Sequence, residues 1–257
     1  MNGRRAVVGL SLLCALLFSA FAAPSAFAAK GTTAFTCSKV AAGVPSTFED
    51  AHCTKPKVGT GEFVHAVIAE GTKTAFTASN SNTASNTTAS TPAILHSVIG
   101  GQAGTIKCTT VDSTGTITNE AGTPMKNSGT GIVVVFTGCK LEGEIVEKQG
   151  CKLTSEEIKT GTLTSTTPTE TMTIEFKPEA GKPYSSFKLT GCKTVELNIE
   201  YKVTGTASAI PNGATLETTE ASTKGLKLNG QQASFTSLTT VTMKTGEPGI
   251  SMTTTEN

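Results

Sequence analysis

Val195-Glu196-Leu197-Asn198-Ile199-Glu200-Tyr201-Lys202-Val203 alternates apolar and polar residues without a break. Successive side chains of a strand point to opposite faces, so this stretch makes one apolar and one wet face as a strand. A helix would scatter the same five apolar residues around its circumference. Met172, Ile174 and Phe176 alternate with Thr173, Glu175 and Lys177 in the same way. Ile132 to Phe136 is a continuous apolar run ended by Thr137-Gly138, which reads as a central strand buried on both faces.

Working outward, further strands are expected over 33–37, 62–69, 72–78, 93–99, 104–111, 114–119, 142–147, 160–166, 185–190, 224–228, 232–236 and 238–244. Turn signals separate many of them: Ser113-Thr114-Gly115, Lys182-Pro183, Pro211-Asn212-Gly213 and Asn229-Gly230, the last a strong hairpin signal. Gly100-Gly101-Gln102-Ala103-Gly104 lacks a following Lys-Ser/Thr and reads as a turn, not a phosphate loop. Ser155 to Lys159 reads as one short helical turn. No segment carries a long 3.6-residue apolar period. The expected class is all-β, an antiparallel sandwich or barrel. Composition agrees: 47 threonines and 26 glycines suit half-exposed strands and turns.

The chain opens as a secretory signal. Arg4 and Arg5 precede an apolar run over residues 6–18, and Ala26-Phe27-Ala28 supplies small residues for cleavage after Ala28. Cys14 would leave with this leader. Arg4 and Arg5 are the only arginines, so the mature chain carries 19 lysines against 20 acidic residues. That balance, with no guanidinium for bidentate phosphate contacts, argues against nucleic-acid binding. No membrane-spanning segment is expected after cleavage.

Residues 79–92 are nearly all Ser, Asn, Thr and Ala, ending at Thr91-Pro92, and read as a linker or long loop. They separate a small N-terminal unit, 29–78, from a main β domain, 93–257. Asn86-Thr87-Thr88 is a glycosylation sequon.

Six cysteines remain after export: Cys37, Cys53, Cys108, Cys139, Cys151 and Cys192. An even number in an oxidising compartment implies three disulfides. Short sequence distance favours Cys37–Cys53 and Cys139–Cys151, which leaves Cys108–Cys192. Phe136-Thr137-Gly138-Cys139-Lys140 and Leu189-Thr190-Gly191-Cys192-Lys193 form a weak repeat, each closing an apolar strand.

A resemblance attaches to these motifs. Ile106-Lys107-Cys108, Val135-Phe136-Thr137-Gly138-Cys139, Gly150-Cys151, Thr160-Gly161-Thr162-Leu163, Leu189-Thr190-Gly191-Cys192 and Gly230-Gln231 together resemble a group of uncharacterised secreted, Thr/Gly-rich, Cys-containing β proteins of high-GC soil actinobacteria. The resemblance implies secretion and β structure. It carries over no functional residue.

Reactive constellations are sparse. There is no G-x-S-x-G elbow or H-E-x-x-H pair, and the histidines number three: His52, His65 and His96. Glu49-Asp50-Ala51-His52-Cys53 is the densest cluster of reactive types, but a charged coat on a Cys37–Cys53 loop accounts for it. Glu142/Glu144 and Glu156/Glu157 are the paired acids a glycosidase would need, without tryptophan for sugar stacking. Threonine pairs at Thr116/Thr118, Thr162/Thr164, Thr171/Thr173 and Thr240/Thr242 suit solvent-facing strands better than a flat ligand array. No catalytic, cofactor or metal residue is assigned. The leading expectation is a secreted non-enzymatic protein of the cell envelope or extracellular space, its partner an envelope component or extracellular surface. The alternative is a secreted hydrolase centred on Glu49, Asp50 and His52.

Overall fold

The computed structural model describes residues 32–41, 43–53, 55–80, 91–123, 125–168, 173–193, 200–244 and 246–253. The expected leader with Cys14, most of the 79–92 segment with its sequon, Met172 and the first part of the 195–203 stretch lie outside these residues.

The strands in chain order are β1 (Thr33–Lys39), β2 (Phe63–Val67), β3 (Thr74–Ser79), β4 (Ala93–Ile99), β5 (Gln102–Cys108), β6 (Thr110–Glu120), β7 (Lys126–Thr137), β8 (Lys140–Glu142), β9 (Lys152–Leu153), β10 (Ile158–Lys159), β11 (Leu163–Thr166), β12 (Ile174–Pro178), β13 (Ser185–Thr190), β14 (Glu200–Thr204), β15 (Ala207–Asn212), β16 (Thr215–Thr218), β17 (Lys227–Leu228), β18 (Gln231–Met243) and β19 (Gly246–Thr253). One short helix, α1 (Glu144–Gln149), lies between β8 and β9.

The all-β expectation holds, and the barrel is the form it takes. Eight strands close antiparallel in the order β3, β6, β7, β11, β12, β15, β16, β18 and back to β3. Closure removes the free edges that an open sheet exposes. The Ile132–Phe136 run is the heart of this wall: β7 pairs with β6 on one side and with β10 and β11 on the other. Ile132 and Phe136 are buried inside, and Val133 and Val135 are half-buried outside.

β18 is long enough to serve two layers. Thr240–Met243 pair with β3 in the barrel, while Ala233–Thr236 pair with β4. A second antiparallel sheet therefore grows from it, in the order β8, β5, β4, β18, β17, β14, β13, β9. α1 connects the outer strands of this sheet and buries Ile145 completely. β1 lies between β2 and β19, and β19 in turn pairs with the end of β18.

β3 stands between β6 and β18, so residues 74–78 of the expected N-terminal unit, with Ser79 of the expected linker, share a sheet with strands of the expected main domain. Two buried asparagines bind β1 to the barrel. The Asn119 side chain accepts a hydrogen bond from Ala34 N at 2.8 Å and donates to Ala34 O and Ile68 O at 2.8 and 2.7 Å. Asn127 donates to Thr32 O at 2.7 Å and accepts from the Thr167 hydroxyl at 3.0 Å.

Three bridges form, but only Cys37–Cys53 matches the pairing expected from sequence distance; the others are Cys108–Cys139 and Cys151–Cys192. Strand register decides this. Thr110 faces Thr137 across β6 and β7, so Cys108 and Cys139, just beyond, face each other too. Thr190 faces Lys152 across β13 and β9, which places Cys192 beside Cys151. In both Thr-Gly-Cys-Lys copies the glycine ends its strand at positive φ, Gly138 at 61° and Gly191 at 74°, a conformation glycine adopts without steric cost.

Other expectations need correction. Residues 142–147 are largely helical, because Glu144 and Lys148 pair at 2.9 Å one turn apart and Gly150 caps the end in the left-handed region. Ser155–Lys159 is not helical: Ser155 Oγ accepts from Glu157 N, and Ile158–Lys159 join β7. Ser113-Thr114-Gly115 is no turn but the middle of β6, where a Cβ on Gly115 would lie 2.8 Å from Ile132 Cγ1. The stretches 232–236 and 238–244 are one strand, β18. Asn229-Gly230 is the expected two-residue hairpin, both residues at positive φ.

Candidate functional site

Alternation along the barrel staves turns Phe76, Val111, Ile132, Val134, Ala209 and Leu216 inward around a cavity of about 60 Å³. A second cavity of about 40 Å³ lies within the curl of the second sheet, lined by Ala93, Leu95, Ile106, Phe187, Val203 and Leu226 among others. Phe136, Tyr184 and Phe235 line both. The two phenylalanine rings meet edge to face, with centroids 5.5 Å apart.

Tyr184 stands at this junction because its backbone is held from both sides. Its N–H donates to Val203 O at 2.7 Å and its carbonyl accepts from Gly161 N at 3.0 Å. The residue is 8% exposed. Burial pushes its hydroxyl well above the ordinary tyrosine range, which keeps it a neutral donor and acceptor at any physiological pH. The sequence reading missed Tyr184. Lys182-Pro183 marked only a turn, and a lone aromatic after a turn carries no periodic signal.

The densest sequence cluster turns out to be loop architecture. Asp50 Oδ1 accepts from His52 N at 2.9 Å and Oδ2 accepts from Lys55 N at 2.6 Å, so both carboxylate oxygens hold the loop's backbone. Asp50 O accepts from Cys53 N, and Cys53 is bonded to Cys37. The His52 backbone packs against β19, where a Cβ on Gly249 would lie 2.9 Å from His52 Cα. Glu49 is exposed. His52→Ala is therefore expected to leave the fold intact, checked by an unchanged unfolding midpoint.

His65 packs between Phe35 and Phe48, with ring centroids 5.4 and 4.6 Å away. Neither ring nitrogen has a hydrogen-bond partner among the described residues, and burial lowers its pKa. The folded state thus takes up a proton less readily than the unfolded chain. The stability tied to neutral His65 is full above the ordinary histidine pKa of about 6.5 and is lost as pH falls through the lowered folded value. Urea unfolding between pH 7 and 5 is expected to show a steeper loss of stability in the native chain than in His65→Phe; parallel profiles would refute this.

His96 is a strand residue of β4, its Nδ1 3.1 Å from the Thr105 hydroxyl and its Nε2 3.8 Å from Glu220. Glu142 and Glu144 are exposed, as are Glu156 and Glu157. Among the described residues no group of three or more His, Cys, Asp or Glu side chains is placed to hold a metal. The threonine pairs are dispersed over several strands. On the outer barrel wall Thr118, Ser128 and Thr166 stand side by side across β6, β7 and β11, whereas Thr242 is buried with its hydroxyl 2.9 Å from that of Thr77. Thr171 lies outside the described residues. No described helix is long and apolar enough to cross a membrane.

Neither a protein-family model nor a curated protein nor a solved structure matches the chain.

Proposed function

We propose that the chain is an exported, non-enzymatic protein of the cell envelope or extracellular space that acts by binding. The observation that carries this reading is the bonding of all six cysteines beyond the leader into three bridges. Such a set forms and persists in an oxidising compartment. The leader pattern of residues 1–28 points the same way. Binding is favoured over hydrolysis because Asp50, the acid of the densest reactive cluster, has both carboxylate oxygens engaged by loop N–H groups. A mostly apolar interior, with hydroxyl residues but no carboxylate or histidine in its lining, suits retention of a ligand better than proton transfer.

The test is expression with the native leader in a secreting host, followed by N-terminal sequencing of the exported form and co-sedimentation with purified envelope material. Export with a mature start near Ala29 is expected. Retention inside the cell with the leader uncut would overturn the localisation. Hydrolysis of the envelope material, abolished in His52→Ala, would replace the binding reading with the hydrolase.

A further inference from the structure

Two cavities of about 60 and 40 Å³ flank one partition made by Phe136, Tyr184 and Phe235. A site for a single water needs roughly 10–15 Å³ and two to four polar partners. Both cavities exceed that size, and a ring-sized guest, which a cavity of about 150 Å³ holds, needs the two joined and widened. The smaller one has Tyr184 and Ser185 as its only polar side chains in an otherwise apolar lining. Water there has two side-chain partners at most, the lower end of that range, and an apolar guest does not need them. On the barrel side Ser113, Thr218, Ser237 and Thr239 line the cavity, and the Ser237 and Thr218 hydroxyls satisfy each other at 3.0 Å. Among the described residues Tyr184 is the one hydroxyl-bearing residue that lines both cavities, and it is only 8% exposed, which makes it the polar group shared by the two halves. The two-sided wall also gives the space a way to grow, since rotation of the Phe235 side chain would join the halves. Phe235 is only partly buried and belongs to the strand that the two layers share.

We infer that the paired cavities form one binding site for a small apolar molecule carrying a single hydrogen-bonding group, with Tyr184 as its polar anchor and Phe136 and Phe235 as its movable wall. Phenol and short cyclic alcohols are the matching chemical class. The inference rests on the binding reading above and names the interior as where that binding occurs.

Phenol is the probe, with toluene as its apolar counterpart and the exported, oxidised protein as the target. Calorimetry and thermal unfolding should show saturable binding of phenol and a rise in melting temperature, because a ligand of the folded state alone stabilises it by mass action. Tyr184→Phe should weaken phenol about 3- to 10-fold, the range a single neutral hydrogen bond supplies, and leave toluene unchanged. Ala209→Val on the barrel side should weaken both probes, and Ala93→Val repeats the test from the other side should the first variant fail to fold. Absence of saturable binding to the intact protein would overturn the inference, as would equal binding by folded filled variants. Those failures leave envelope association and export untouched. Loss of export, or envelope hydrolysis, would defeat the functional reading while the phenol result stood.

Discussion

Asn119→Ala is expected to lower the unfolding free energy by about 2–5 kcal/mol, since Ala34 N and Ile68 O lose this partner at about 1–3 kcal/mol each, while Ala34 O keeps the Ile68 N–H at 3.2 Å. Asn119 is fully buried, and its side chain satisfies Ala34 N, Ala34 O and Ile68 O at once. Alanine cannot replace any of these bonds, and water cannot reach Ala34, which is also fully buried. The outcome is read from urea unfolding as a lower midpoint with little change in slope. Thr164→Ala, at an exposed position of β11, is the control and should stay within about 0.5 kcal/mol of the native chain. A loss below about 1 kcal/mol in Asn119→Ala would mean that β1 is not held to the barrel through this side chain.

Removing the Cys151–Cys192 bridge by paired substitution to alanine is expected to cost about 4 kcal/mol, through the freedom the unfolded chain regains. Cys108–Cys139 should cost nearly as much, and Cys37–Cys53 least, because the bridged separations are 41, 31 and 16 residues. The shorter bridge also closes only a satellite core of Cys37, Phe48 and Cys53, packed with Phe63. Peptide mapping without reduction checks the pairing directly. A peptide joining Cys139 to Cys151, or Cys108 to Cys192, would contradict the register of β6 with β7 and of β9 with β13.

The strands were legible wherever local pattern and tertiary demand agreed. Ile132 to Phe136 reads as a central strand and is one, although its outward face, Val133 and Val135, is half-buried instead of buried. Asn229-Gly230 reads as a two-residue hairpin because positive φ at both positions suits few other pairs. Glu200 to Val203 alternates and is the described part of the stretch that opened the reading. Legibility failed where long-range packing overrode local signals. Gly115 resembles a turn residue, but it is small to admit Ile132 and Phe76 to the barrel interior. Ile145-Val146 resembles a strand, but a helical ion pair and a glycine cap prevail.

The disulfides show the same division. Sequence distance selected Cys37–Cys53, which closes a local loop. It misassigned the other four cysteines, whose partners follow from strand register. The Thr-Gly-Cys-Lys repeat held the missing clue, since each copy ends a strand whose neighbour begins beside another cysteine. The interior site was invisible for a related reason. Phe136, Tyr184 and Phe235 converge only when three distant segments meet, and none of them differs from an ordinary core aromatic in sequence.

The first and last strands are neighbours: Thr33 stands opposite Thr253, and Thr36 opposite Ile250. Nearly the whole polypeptide is looped between these partners, so their pairing is among the least local contacts a chain of this length can make, and such contacts are slow to form. The barrel itself closes earlier, through β18 and β3, but the clasp between β1 and β19 waits for β19 to emerge. A chain drawn through a membrane in the N-to-C direction would keep β1 unclasped until β19 had crossed.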